Sequence, residues 1–147
     1  MKTLKQNSNA IEALESDYLY VALSQLPNSG NGLFTAIPIY KDEVISLFKG
    51  EVLTELQAKL RAKKGNDKYF INMLDGSIMD SMHTMCFAKY ANDAEGFSKS
   101  SRKSVTKNNA KISLDEDDNV CIIATKNIKT GEEIFCGYGK KYWKKHS

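Results

Sequence analysis

Gly131-Glu132-Glu133-Ile134-Phe135-Cys136-Gly137-Tyr138-Gly139 is the stretch on which the reading of this chain turns. Residues 133–136 have the length and apolar character of a short β-strand, with turn-forming glycines before and after it. Tyr138 therefore sits on a glycine-flanked bend directly after a strand. A phenol held there is placed for chemistry, although a buried phenol bonded to a carbonyl would use the same pattern.

Around this run the chain has 147 residues, of which 41% are hydrophobic and 27% charged, the balance of one globular domain with its own core. Residues 16–147 are read as that domain and 1–15 as a polar, flexible N-terminal segment. No apolar run approaches the roughly 18 residues of a membrane helix, so no membrane association is expected. The first ten residues lack the apolar segment of a secretory signal, which makes an intracellular site of action the expectation. The three cysteines, Cys86, Cys121 and Cys136, are far apart and have only His83 and His146 as imidazole companions, so no metal site is expected. Net charge is +3, with lysines concentrated in 99–107 and 140–145. These would suit weak contact with nucleic acid, or equally an ordinary solvated surface.

The elements are short. Strands are expected at 18–23, 33–36 and 44–48, the first two separated by the turn cluster 27–32. Thr54 and Gln57 have capping-box spacing and Gly65 suits a left-handed cap, which predicts a helix over 54–64. Asp75-Gly76 predicts a two-residue hairpin between strands at 69–74 and 77–80. Residues 85–90 read as one or two helical turns and 95–108 as a polar surface loop. Strands at 110–114 and 120–125 bracket the acidic run 115–119, which predicts another hairpin. The final strand leads to a terminal helical turn at 140–145 carrying Tyr142 and Trp143. The sum is a mostly β domain with short helices.

Alone, Gly30-Asn31-Gly32 is an ordinary turn, and no third glycine or long helix makes it a dinucleotide fingerprint. Asn92-Asp93 alone is an ordinary Asx turn. Their order is more informative. The glycine turn, then 45–51, Ile78-Met79-Asp80, Tyr90-Ala91-Asn92, Asn109-Ala110 and 124–134, closing on Tyr138, resembles the SET-domain protein lysine methyltransferases block by block over 18–143. The compact form is similar to the small viral and microbial members, which lack flanking zinc-binding regions.

The resemblance implies a β-clip-like fold of small sheets whose C-terminal segment threads beneath a preceding loop as a pseudoknot. It also implies S-adenosyl-L-methionine as cofactor and a lysine-bearing protein, with histone tails foremost, as substrate. A histone substrate would bring the chain to nuclear chromatin; otherwise a cytoplasmic location is expected. Carried over by position, Gly30, Asn31, Gly32, Tyr90, Asn92 and Asp93 would hold the cofactor; in place of the missing flanking regions, Tyr142 and Trp143 offer flat rings to fold over its adenine or, equally, to anchor the chain end. Tyr138 would be the catalytic phenol, with Phe48, Tyr69 and Cys136 lining the lysine channel.

Two residues depart from the family pattern. Asp93 stands where histidine is common, and Cys136 stands where Phe or Tyr is usual; the smaller side chain predicts products beyond monomethyl-lysine, although an apolar-flanked cysteine suits inert core filling equally well. The same departures suit a SET-like binding module with little turnover, and the lysine-rich loop suits a small basic domain that binds nucleic acid. The oligomeric state is not legible in the sequence.

Overall fold

The structure is a computed structural model that describes residues 10–73, 75–95 and 106–137. It contains ten short strands, β1 (Leu19–Leu23), β2 (Asn31–Thr35), β3 (Val44–Leu47), β4 (Glu51–Leu53), β5 (Phe70–Asn72), β6 (Ile78–Asp80), β7 (Ala110–Leu114), β8 (Val120–Ala124), β9 (Glu133–Ile134) and β10 (Cys136–Gly137). Helices α1 (Glu15–Tyr18) and α2 (Glu55–Lys63) and a 3-10 turn at Ala88–Tyr90 complete the described elements. The mostly β reading holds. The expected terminal turn at 140–145, the N-terminal residues 1–9 and most of the lysine-rich loop lie outside the described residues.

The strands form three sheets, ordered β1-β2-β9, β10-β7-β8-β3 and β4-β6-β5. The main core lies against the first two, where Leu33, Ile39, Ile45, Ile122 and Ile134 are fully buried. Each of these short strands has too little apolar surface to be stable alone, and interleaved sheets solve that by sharing one core. β3 carries a bulge at Ile45, where the register with β8 shifts between Val44 and Ser46. The Tyr18 hydroxyl donates to the Ile45 carbonyl at 2.7 Å. Residues 10–15 are tied to the same strand: Ala10 bridges Val44, and Glu15 accepts from Ser46 Oγ at 2.6 Å and Leu47 N at 3.0 Å.

α2 begins as its sequence predicts. Thr54 Oγ1 accepts from Gln57 N at 3.1 Å while Gln57 Oε1 accepts from Thr54 N at 2.9 Å, so two otherwise orphaned amides are satisfied reciprocally. Gly65 follows with φ of +79°, the left-handed geometry a side chain resists. β4 is an addition that the sequence reading lacked. Its pairing partner β6 supplies the reason, since Glu51 to Leu53 is a strand only by virtue of the register Glu51↔Asp80, Val52↔Met79, Leu53↔Ile78.

Two expectations change in detail. The β5–β6 hairpin exists, but its turn is longer than two residues: Met73 N donates to Ser77 O at 2.8 Å, enclosing Asp75 and Gly76. Asp75 Oδ1 accepts from both Ser77 N and Ser77 Oγ, an Asx-type closure that competes with the tight two-residue turn. The final strand also divides. β9 is antiparallel to β2, β10 is parallel to β7, and Phe135 between them forms a parallel bridge with Asn92. The chain changes sheets at that residue.

This division gives the fold its interwoven character. Cys136 N donates to the Asn92 carbonyl at 2.8 Å on one side, while Asn109 N and Ala110 N both donate to Phe135 O, at 2.9 and 3.0 Å, on the other. Asn92 and Asn109 flank the segment 93–108, of which 93–95 and 106–108 are described. The terminal strand thus lies between the two ends of a segment that precedes it in sequence, which is the arrangement from which a pseudoknot is built and an exception to the usual connection.

Candidate functional site

The glycine turn is positioned from three directions. Gly30 has φ of +65° and accepts from Ser24 N at 2.8 Å, so the turn folds back on the end of β1. Phe135 is buried in a small cluster with Leu26 and Ala94, joining the turn, the terminal strand and the Asn92 segment through one ring. Asn92 Nδ2 donates to the Asn31 carbonyl at 3.0 Å. Residues sixty-one positions apart in sequence therefore meet at one hydrogen bond.

Gly32 is a glycine for a different reason from Gly30. A Cβ there would collide with Glu133 Oε2 and lie 3.2 Å from Ser24 Cβ. The buried Glu133 carboxylate covers the turn's backbone, with Oε2 accepting from Ser24 Oγ at 2.7 Å and Oε1 from Gln25 N at 2.8 Å. At Gly30, by contrast, a Cβ would meet nothing within 4 Å. One glycine leaves room inward and the other supplies a backbone angle facing open space.

The two ends of the segment 93–108 are joined by asparagines. Asn109 Nδ2 donates to the Glu133 carbonyl at 3.0 Å and its Oδ1 accepts from Phe135 N at 2.8 Å, gripping the terminal strand from the side opposite Asn92. Asn108 Nδ2 donates to Asp93 Oδ1 at 3.0 Å, and Asn108 Oδ1 accepts from Ala94 N at 2.8 Å. Asp93 therefore helps to join the segment's two ends. Glu95 N also donates to Asp93 Oδ1, at 3.0 Å.

Beside this polar region lies a cavity of about 220 Å³ whose wall includes Phe48, Tyr69, Ile71, Asn92 and Asp93. Lys89 contributes to its wall and is fixed by its own surroundings: its ammonium donates to the carbonyls of Ser81, Met82 and Thr84 at 2.9, 3.2 and 3.2 Å. The same ammonium lies 5.2 Å from the Tyr69 ring centroid and 5.4 Å from that of Tyr90, a cation–π geometry that orients both rings.

The structure thus brings together Gly30, Asn31, Gly32 and Asn92, and sets Phe48, Tyr69, Asn92 and Asp93 around one cavity. Tyr90 is half-buried against the main core. Cys136 is fully buried in that core and does not line the cavity; burial first, then the Asp93 carboxylate, pushes its thiol well above the ordinary range. Tyr138 and Trp143 lie outside the described residues. Sequence reasoning placed Glu133 and Lys89 within motifs without giving them a role, and did not name Asn108 or Ser24. The available signal was Glu133 itself, an acid within an otherwise apolar strand that must find buried donors. Among the described residues no group of three His, Cys, Asp or Glu side chains could hold a metal, and no helix is long and apolar enough to cross a membrane.

Small sheets around a shared core, a terminal strand held between the two ends of an earlier segment, and a glycine turn meeting an asparagine define a recognisable class. The SET-domain family model matches residues 30–139, and the chain belongs to the SET-domain family. Among solved structures it is similar to apo ctPRC2 with two substitutions in Ezh2, at TM-score 0.68 and 26% identity, over 84% of this chain and 15% of that one. It is also similar to ctPRC2 in an autoinhibited conformation bound to S-adenosylmethionine, at TM-score 0.65 and 25% identity, over 85% of this chain and 15% of that one. A humanized mutant of the Chaetomium thermophilum Polycomb Repressive Complex 2 bound to an inhibitor shares the fold at TM-score 0.67 and 24% identity, over 84% and 15% of the two chains. This chain therefore spans only a small part of the length of those it matches. No curated protein matches it.

Proposed function

We propose that this protein transfers a methyl group from S-adenosyl-L-methionine to the side chain of a protein lysine, with histone tails as the foremost substrates. The observation that carries the reading is the hydrogen bond from Asn92 Nδ2 to the Asn31 carbonyl, which joins the glycine turn to the wall of the Phe48–Tyr69 cavity. Gly30 to Gly32 and Asn92 would hold the cofactor, with Asp93 beside them and Trp143 over the adenine. The open space at Gly30 fits a ligand approaching the backbone closely. When bound, S-adenosylmethionine supplies an electrophilic methyl on a sulfonium.

The chain's own residues would prepare the lysine. A free lysine has a pKa of about 10.4, and only its neutral amine attacks a methyl. Phe48 and Ile71 offer an apolar wall that disfavours the ammonium, and the positive charges of Lys68 and Lys89 on the same cavity push in the same direction. Asp93 acts against them, but one of its oxygens already accepts from Asn108 Nδ2 and Glu95 N. Tyr69, held beneath Lys89, would steer the lysine stem. Holding the amine in line with the methyl supplies much of the acceleration through orientation. Tyr138 would position the methyl group by accepting weak C–H contacts, a role for a phenol oxygen that needs no proton transfer.

A histone substrate implies action at nuclear chromatin. Incubation of the protein with labelled S-adenosylmethionine and mixed core histones, alongside Tyr138→Phe, tests the reading. Label on lysine that falls at least about tenfold in the variant, a loss of roughly 1.4 kcal/mol of transition-state stabilisation, is expected. Cofactor binding without transfer to any lysine substrate would favour a binding module instead.

A further inference from the structure

We infer that Glu133 is the positioning residue of the glycine turn, fixing through its carboxylate the backbone on which S-adenosylmethionine rests; this builds on the proposed cofactor role of that turn. Three independent features converge. The carboxylate is 2% exposed yet both oxygens have partners, Ser24 Oγ at 2.7 Å and Gln25 N at 2.8 Å. Both partners belong to the segment entering the turn, and Ser24 N in turn donates to Gly30 O at 2.8 Å, so the clasp closes across the turn's two ends. Gly32 lacks the Cβ that would displace the carboxylate, which makes the glycine and the acid a matched pair.

The chemistry suits positioning better than simple filling. Isolated carboxylates are strongly disfavoured in the interior, so one is retained only where donors are fixed around it. Here the donors lie on a loop and the acceptor on the first residue of β9, whose backbone is gripped by Asn109. Movement of the turn relative to the terminal strand must break a charge-assisted hydrogen bond. The loop's place is consequently set by the strand that runs on toward Tyr138, and not by the loop's own composition. Ser24 Oγ also accepts from Leu26 N at 3.1 Å, extending the clasp to the residue that packs on Phe135.

A glutamine at this position keeps the shape. Its amide oxygen can accept from Gln25 N, and its NH₂ can donate to Ser24 Oγ, because a hydroxyl accepts as well as donates. Glu133→Gln therefore separates geometry from charge, whereas Glu133→Ala removes both tethers.

The test is calorimetric titration of the full chain with S-adenosylhomocysteine, with folding of each variant checked by circular dichroism, followed by steady-state kinetics. Wild type binds; Glu133→Ala weakens binding by at least about tenfold and Glu133→Gln by about threefold, the latter equivalent to roughly 0.7 kcal/mol. In kinetics the loss falls on KM for the cofactor, with KM for the lysine substrate little changed, a split that general destabilisation would not produce. If Glu133→Ala does not fold, Ser24→Ala decides, since it deletes one tether and should weaken binding by about threefold. A folded Glu133→Ala, or failing that a Ser24→Ala, that binds like wild type overturns the inference while leaving the proposed function standing. Wild type that does not bind the ligand overturns both.

Discussion

The two sides of Asn92 are built from different materials. Toward the glycine turn, position is set by hydrogen bonds among Asn31, Asn92, Asn109, Ser24 and a buried Glu133, with backbone atoms as partners in most of them. Toward the Phe48–Tyr69 cavity it is set by aromatic faces and by one lysine fixed on three carbonyls. The first region tolerates little change of shape, because each buried polar atom has a designated partner. The second is governed by bulk and by the cost of charge. Ligand recognition should divide accordingly, with backbone geometry deciding the fate of the cofactor and side-chain volume that of the lysine.

The largest effect expected to break this contrast is Gly32→Ala. A single methyl group at that position drives the Glu133 carboxylate from its donors, so a loss of about 3 kcal/mol in urea-unfolding free energy is expected, together with loss of cofactor binding. Asn109→Ala should follow at about 2 kcal/mol, because two hydrogen bonds to the terminal strand vanish and leave buried groups unpaired. On the other side, Phe48→Leu should cost only about 1 kcal/mol of stability, as a change of shape between apolar residues. Its signature should be weaker peptide use with cofactor affinity retained. Equal losses for both ligands in titrations of that variant would erase the distinction between the regions.

The gentlest prediction concerns pH. Burial pushes the Cys121 thiol up to about 11, with a smaller push from Asp115, and moves Cys136 upward as well. A thiol whose folded pKa is raised binds its proton more tightly when folded. Its contribution is therefore complete below the unfolded value of about 8.5 and declines as pH rises toward the folded value. Urea midpoints should be flat between pH 7 and 8 and fall between pH 9 and 11. Rapid alkylation of Cys121 and Cys136 in the native protein at pH 7.5 would contradict this burial.

The sequence was most legible where a local rule sufficed. Thr54 and Gln57 declare their helix because both halves of the capping box lie within one turn. The β7–β8 hairpin likewise follows from the acidic run, where Asp115 Oδ1 accepts from both Asp117 N and Asn119 N. β4 was not legible, since its existence depends on a partner strand more than twenty residues away. The division of the last strand was hidden for the same reason: nothing within 133–137 says that Phe135 will bridge Asn92. At the site, the residue types were readable but their partnerships were not. Gly32 looks like any turn glycine until Glu133, a hundred residues later, is seen lying over it. Cys136 reads equally as a channel residue, from its place before Tyr138, and as core filling; its side chain is packed in the core.

The most direct test of two functionally distinct regions meeting at Asn92 is amide chemical-shift mapping with S-adenosylhomocysteine and, separately, with a lysine-bearing histone-tail peptide. Two sets of shifted amides are expected, one centred on Asn31 and Gly32 and the other on Tyr69 and Ile71, with Asn92 common to both. Shifts from both ligands on one surface remote from Asn92, or from neither ligand, would contradict it.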